Sequence, residues 1–434
     1  MWSTRKRYLI SIIGMLVGLV AVACGAAATP TTLPTPTLAP PPATSAPEPT
    51  ATPVPPPPTA TAAIPEAAVD ASATAATGFS FTWEIEEVDS GTKPALALTT
   101  DDVPHVAYML EAQQGFVKDA VRNGESWDLT TVAEGYFYGP LDLAIGSDNV
   151  AHISYHDHQA SSFQPDKGDA IYAALQDGQW EVNSVFHPGH DGWDNRIAVD
   201  SQDRPHISAI DPLEFGGDGL EYYGRNDSGN WVVEEVGTGP ITYKYATSIA
   251  VDPQGAPHIS YFDQRGNDLA LASRGADGWD ISTIDADGDT GLFSFLIIDE
   301  EGRFHISYFQ RNNPSSGVIK YATRGPGDTA WEIREVDRLS RLTFGFVGAR
   351  NITSLALDSD GNPWIAYSDE KKLKLAVWDG AKWGIQTVVD AESKTLGQLV
   401  SMKLDSQDQP HIAYFEVTSP GPLEGLVKYA KGTP

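Results

Sequence analysis

One eight-residue pattern recurs along this chain: "VPHVAYML" from 103, "VAHISYHD" from 150, "RPHISAID" from 204, "APHISYFD" from 256, "RFHISYFQ" from 303, "NPWIAYSD" from 362 and "QPHIAYFE" from 409. Aligned, the copies place His105, His152, His206, His258, His305, Trp364 and His411 in one slot, 47 to 59 residues apart. Three further markers keep step with it. Trp83, Trp127, Trp180, Trp231, Trp279, Trp331 and Trp383 each open a short β-like segment. Segments of the type "LALTT", "IAVDS" and "MKLDS" precede the slot, and segments such as "IKYAT" and "LVKYA" follow it. Four short β segments per period of about 50 residues, seven times over, predict an all-β chain folded as a seven-bladed β-propeller, four antiparallel strands to a blade. No segment sustains a 3.6-residue period, so helices are expected to be few. The repeat is circularly shifted: the chain begins on a Trp segment and ends on the other three. The N-terminal strand therefore completes the last blade, which leaves no free sheet edge at the junction. A solenoid of the same units would need capping repeats, and none is visible.

Three regions follow. Residues 79–434 hold the propeller. Residues 1–24 begin with Arg5, Lys6 and Arg7 and continue through an apolar run from Leu9 to Ala23. A basic start followed by a run too short for a membrane span reads as a signal peptide. It ends at Cys24, the only cysteine. The "AVACG" stretch resembles the lipobox of bacterial lipoproteins, with Ala21 where that family usually has leucine. The resemblance implies lipidation at Cys24 and an exported chain anchored to the cell membrane with its domain facing outward. The alternative is an uncleaved anchor with an incidental cysteine. Residues 25–78 are a Pro/Thr/Ala stalk with fourteen prolines between positions 30 and 65. Proline fixes φ and lacks a donor, so this stretch is expected to be disordered and extended, with a reach on the order of 100 Å. A single cysteine permits no disulfide, so the core alone must hold the domain. The formal charge is −29, and removal of the three cations before Cys24 deepens it. That balance disfavours nucleic acid and anionic lipid surfaces as partners, leaving contact with the membrane to the lipid. Nothing in the sequence calls for more than a monomer.

Within the motif, an Asp or Gly six positions before the slot, with Pro just before it, makes a tight turn between the first two strands of a blade. Along the second strand His258, Ser260 and Phe262 point one way and Ile259, Tyr261 and Asp263 the other. Both faces thus pack against neighbours, and the slot residues are expected to be structural, each imidazole bonded to the turn Asp or to backbone. The recurring His, Ser and Trp resemble those of WD-repeat proteins, although the GH and WD dipeptides are missing.

Function is then sought where the repeats disagree. One face carries short uniform turns. The other carries loops that vary in length and hold aromatics and carboxylates. Tyr136, Tyr138, Trp193, Phe215, Tyr243 and Tyr245 are the candidate ligand-binding residues, suited to carbohydrate or protein recognition. They serve equally as packing for the loops. Four histidines fall outside the slot, His156, His158, His187 and His190, all on this face in the loops around the second blade. With the carboxylates nearby they are candidate ligands for zinc or another divalent metal. They are also candidate general acids and bases, with His156, His187, Tyr138 and Arg196 as the catalytic set. Solvated loop histidines would look the same in sequence. "DADGDTG", 285–291, is similar to a calcium loop but has Thr290 where Gly belongs and Leu296 where the closing Glu belongs. Asp157, Asp211, Asp263, Asp369 and Glu416 end the second strands of their blades, as turn caps or as an acidic ring.

The "D-x-x-G-x-P-H-I-S-Y" unit, over residues 79–434, resembles bacterial exported propellers loosely related to BNR-repeat and sialidase-like proteins. That resemblance speaks to fold. The Asp-box of sialidases is absent in its usual spacing, and no Phe-Arg-Ile-Pro stretch occurs. Some polysaccharide lyases look like seven-bladed propellers with His, Tyr and Arg at the active face, which His156, His187, Tyr138 and Arg196 imitate. The leading expectation is a lipid-anchored surface module that binds a glycan or a surface protein. The alternatives are a lyase or hydrolase acting on polysaccharide through the histidine cluster, and a structural scaffold for an envelope assembly.

Overall fold

The computed structural model describes residues 80–110, 115–137, 139–158, 169–185, 192–211, 219–226, 228–237, 239, 247–340, 352–369, 371–391, 395–420 and 423–434. Within them are 28 strands, arranged as seven four-stranded sheets. The first strand, β1 (Thr82–Ser90), belongs to the last sheet. Blade 1 is β2 (Thr92–Leu98), β3 (Pro104–Leu110), β4 (Gly115–Asn123) and β5 (Ser126–Gly135). Blade 2 is β6 (Asp142–Ile145), β7 (Ala151–Asp157), β8 (Asp169–Gln176) and β9 (Gln179–Ser184). Blade 3 is β10 (Trp193–Val199), β11 (Pro205–Asp211), β12 (Gly219–Arg225) and β13 (Trp231–Glu235). Blade 4 is β14 (Ser248–Val251), β15 (Pro257–Asp263), β16 (Asp268–Gly275) and β17 (Gly278–Asp285). Blade 5 is β18 (Asp289–Ile298), β19 (Phe304–Asn313), β20 (Ser316–Arg324) and β21 (Glu332–Ser340). Blade 6 is β22 (Thr353–Leu357), β23 (Pro363–Ser368), β24 (Lys372–Trp378) and β25 (Trp383–Asp390). Blade 7 is β26 (Thr395–Leu404), β27 (Pro410–Pro420) and β28 (Leu423–Thr433), completed by β1. All pairings are antiparallel, and β1 runs beside β28 from Thr82↔Thr433 to Ser90↔Leu426. The chain is a seven-bladed propeller closed by its N-terminal strand, and no helix occurs among the described residues.

The core is divided among the interfaces. Seven apolar clusters lie between neighbouring blades, one to each junction among the described residues. The cluster that closes the ring joins Val88, Val427 and Tyr429 of blade 7 to Leu96, Val106 and Tyr108 of blade 1. This is why both faces of the motif's second strand are buried: each such strand is covered by a blade on either side.

The repeated slot has a specific job. Nε2 of His206, His258, His305 and His411 lies 3.2 Å from Oδ2 of Asp200, Asp252, Asp299 and Asp405 respectively. A carboxylate only accepts, so Nε2 carries the proton and Nδ1 is left as an acceptor. Nδ1 meets the hydroxyl of Tyr222, Ser273, Tyr321 or Tyr429 on the next strand of the same blade. The other carboxylate oxygen ties the turn, as when Asp252 Oδ1 accepts from the backbone of Gln254 and Ala256. Trp364 fits because its Nε1–H donates to Asp358 Oδ2 at 3.1 Å. What the slot requires is a ring N–H aimed at the turn carboxylate, which indole and imidazole both supply. Blade 1 reverses the polarity. Thr99 replaces the turn Asp, Asp119 stands where other blades have the Tyr, and His105 Nδ1 bonds Asp119 at 3.1 Å. Blade 2 has Gly146 at the turn position, where a Cβ would lie 2.7 Å from Asp203 Oδ1. His152 keeps only its bond to Tyr172, and no partner is found for its Nε2.

Two further links cross the junctions. Each innermost strand is a sheet edge, and at four junctions one of its outward N–H groups is met by a side chain of the preceding blade. Ser354 Oγ accepts from Met402 N, Ser401 Oγ from Leu96 N, Asp142 Oδ2 from Ile197 N and Ser248 Oγ from Leu296 N. Turn to turn, Ser406 donates through N and Oγ to Asp102, Ser147 to Asp203 and Ser359 to Asp408. The three receiving Asp residues have φ between 57° and 64°, a conformation Asp tolerates and Gly supplies at Gly255, Gly302 and Gly361 in other blades.

Candidate functional site

Two places on the propeller gather chemistry that the repeat does not need. The first is the variable-face end of blade 2. His156, near the end of β7, is fully buried. Its ring lies 4.7 Å from the indole of Trp193, the first residue of β10 on blade 3, and 5.7 Å from the ring of His158. His158 stands edge-on to Trp193 at 5.5 Å and to Tyr136 at 4.9 Å. The arrangement is fixed by backbone: His158 N donates to Tyr136 O at 2.8 Å, and Phe137 forms a bridge with Asp157. Trp193 is 3% exposed, so it presents its face to the two imidazoles and not to solvent. Tyr136 and His158 are half-buried and form the accessible part of the cluster. His187, His190, Tyr138, Phe215, Tyr243, Tyr245 and the lipidation candidate Cys24 lie outside the described residues. No group of three or more His, Cys, Asp or Glu side chains among the described residues is arranged to hold a metal ion.

The carboxylates of "DADGDTG" are engaged by blade 5. Asp285 Oδ2 accepts from Tyr308, Lys320 and Thr290, and Asp289 pairs with Arg311. At the ends of the second strands, Asp263 accepts from Arg265 N and its guanidinium, and Asp369 from the backbone of Lys371 and Lys372. These two act as turn caps.

The second place is the central channel, to which Arg196 belongs. The innermost strands line a cavity of ≈ 600 Å³ that reaches the face of the short turns. Register places Ala95, Asp142, Arg196, Ser248, Phe295, Ser354 and Ser401 at one level of the ring, each opposite the residue two places after its slot. One level nearer the turns stand Ala97, Ala144, Ala198, Ala250, Ile297, Ala356 and Lys403. At these two levels the channel wall is mostly alanine and serine with Phe295 and Ile297, and its charged side chains are Asp142, Arg196 and Lys403. Burial pushes the Asp142 carboxyl up, against the pull of Arg196 and of the Ile197 N–H. Burial likewise pushes the Lys403 ammonium down, partly offset by Asp142. Lys403 escaped the sequence reading, although its signal is plain in hindsight: "MKLDS" carries a lysine where six copies carry Ala or Ile. Above Arg196 the strand bulges. Lys93, Asp194 and Phe293, at corresponding points of β2, β10 and β18, have φ of 56°, 52° and 55°, unusual for non-Gly residues and a device for redirecting side chains.

No protein-family model matches the chain, and no curated protein matches it. Solved structures do resemble it. The SapL1 lectin in complex with alpha methyl fucoside is 12% identical at a TM-score of 0.48, covering 70% of this chain and 97% of the lectin. YCF48 bound to D1 peptide is 14% identical at 0.46, covering 81% and 95%. The polysaccharide lyase Uly1 is 12% identical at 0.44, covering 79% and 89%. At such identities and superpositions they assign neither ligand nor activity.

Proposed function

We propose that this chain is an exported module, tethered through Cys24 and its Pro-rich stalk, whose variable face binds a glycan at the exit of blade 2. The observation that carries the reading is the pairing of half-buried Tyr136 and His158 over the buried stack of His156 and Trp193. An aromatic edge beside an imidazole that both donates and accepts suits a sugar ring, which has apolar C–H faces and hydroxyl rims. The buried pair beneath holds that surface rigid, which limits the ordering cost of binding. Tyr138, Phe215, Tyr243 and Tyr245 remain candidate contacts in this reading. The test is a glycan array followed by calorimetry on the full chain, with Tyr136→Ala and His158→Ala. We expect binding that drops by about tenfold or more in each variant, the loss of one stacked or hydrogen-bonded contact. Absence of glycan binding, or binding indifferent to both variants, refutes the reading.

A second reading, action on polysaccharide, is favoured by the two imidazoles 5.7 Å apart, one buried and one accessible. His187 and His190 would join them as acid, base or metal ligands. Depolymerisation of a bound glycan, or about one equivalent of zinc or manganese lost when His156 and His187 are both changed to alanine, would replace the first reading with this one.

A further inference from the structure

We infer that the central channel holds a binding site for a small oxyanion, clasped by the Nε–Nη2 edge of Arg196 and attracted by Lys403. This site is separate from the variable-face cluster and does not depend on the reading given to it. Arg196 is 3% exposed, yet only its Nη1 is hydrogen-bonded, to Asn195 O at 2.9 Å. Among the described residues nothing accepts from Nε or Nη2. Asp194 Oδ1, at 3.7 Å from Nη2, is beyond hydrogen-bonding distance. Those two nitrogens share one edge of the guanidinium and present parallel N–H groups, the fork that carboxylate, sulfate and phosphate oxygens fit. The same chain uses this edge elsewhere: Arg274 Nε and Nη2 hold the two oxygens of Glu234 at 2.6 and 2.7 Å. A buried guanidinium with its best edge unfilled is costly unless something occupies it.

Further donors face the same cavity. Lys403, across the ring on β26 and one level nearer the turns, lines the same cavity and makes no hydrogen bond or ion pair among the described residues. Ser248 and Ser401, at the level of Arg196, each use a lone pair to accept a backbone N–H, so each hydroxyl proton remains available to an anion. Asp142 is the one carboxylate at that level, and its Oδ2 is engaged by Ile197 N. The inner channel thus sets Arg196 and Lys403 against Asp142 and the buried Asp194 that ion-pairs with Arg196 at 3.7 Å, so the unfilled Nε–Nη2 edge, not an excess of charge, is what invites an anion. At the mouth, the oxygens of Asp102 accept from Ser406, and Asp405 is filled by its turn and by His411.

The test is calorimetric titration of the full chain at low salt with sodium sulfate, phosphate and acetate, which separates tetrahedral from carboxylate oxyanions. Wild type is expected to bind at least one probe at a single site. Arg196→Gln should weaken that binding at least about tenfold, the loss of a charge-assisted bidentate pair. Lys403→Met should weaken it several-fold, and Asp142→Asn should tighten it. No binding of any probe by wild type overturns the inference, as does binding that is unchanged in Arg196→Gln. If Arg196→Gln does not fold, Lys403→Met decides: weakened binding supports the site, and unchanged binding overturns it.

Discussion

Three junctions of this propeller repeat one triad at different depths, and that series makes a quantitative prediction. At each, a Tyr hydroxyl and a Lys ammonium of one blade converge on a single carboxylate of the blade before. Asp285 Oδ2 accepts from Tyr308 at 2.7 Å and Lys320 at 2.9 Å. Asp337 Oδ2 accepts from Tyr367 at 2.7 Å and Lys374 at 2.9 Å. Asp89 Oδ2 accepts from Tyr108 at 2.7 Å and Lys118 at 2.8 Å. Distances are alike, so burial is the variable. The Lys/Asp side chains are 7%/4% exposed in the first triad, 19%/21% in the second and 24%/24% in the third. Changing Asp285 to Ala leaves a buried ammonium whose remaining carboxylate, Asp287, lies 3.9 Å away and faces solvent. A buried charge stripped of its partner costs about 3–5 kcal/mol. Asp337→Ala and Asp89→Ala leave a lysine that water reaches, and Lys374 retains Asp369 at 3.5 Å. Each should cost about 1–2 kcal/mol, the worth of the lost hydrogen bonds. The assay is urea denaturation of the full chain by tryptophan fluorescence, comparing midpoints of variants whose slopes match. A double-mutant cycle with Lys320→Met should show strong coupling, because removing both charges leaves nothing unpaired. Equal costs at the three sites would refute the claim that depth sets the value of the triad. The sign with pH is also fixed. Burial raises the Asp285 carboxyl, but the bonds from Asp287 N, Lys320 and Tyr308 outweigh it and hold it below 3.8. Its contribution is therefore present above its unfolded pKa and lost as pH falls through the folded value, and Asp285→Asn should remove that part of the acid dependence.

Two further outcomes are expected. Burial depresses the His152 imidazole to about 4, and the nearby carboxylates of Asp148 and Asp203 offset it only in part, so its contribution is full above the unfolded value near 6.5 and is lost as pH falls toward 4. His152→Phe should flatten the fall of stability across that window by up to one proton, roughly 1.4 kcal/mol per pH unit, and an unchanged slope would refute this. Asp102→Gly keeps the φ of 64° yet removes both bonds from Ser406. It should cost about 1 kcal/mol in the same urea assay, and no cost would show the turn-to-turn link to be idle.

The blades were legible because their period is written in chemistry each blade needs for itself. His258, Asp252 and the small residues between them make one turn, and the turn recurs wherever the blade recurs. Trp364, which breaks the histidine pattern, was legible as structural for the same reason: it donates to Asp358 in the same way. The swap of Thr99 and Asp119 around His105 was not, since an Asp on β4 has no meaning until the register sets it opposite the imidazole. The bulges at Lys93, Asp194 and Phe293 were hidden because none is a glycine. For the candidate site, sequence placed His156 and His158 together and left Trp193 as either a ligand contact or loop packing, and only the buried stack reveals what that indole faces. Arg196 was grouped with the histidines by proximity in sequence, whereas the strand on which it sits delivers it to the channel.

Closure through β1 also orders events in time. Lys428 Nζ reaches Glu87 across 341 residues of chain, and the β1–β28 ladder from Thr82↔Thr433 to Ser90↔Leu426 spans a similar separation. At a synthesis rate of about 5–20 residues per second, the first strand made waits roughly 20–70 s for its partner to exist. Throughout that interval blade 7 is missing and blade 1 has nothing to close the ring against it, so Leu96 and Tyr108 are uncovered. A strand with a free edge is then a hazard to the growing chain, open to pairing with a second copy. The three glutamates of "WEIEEVD" on that strand place like charge on any two copies that would align there.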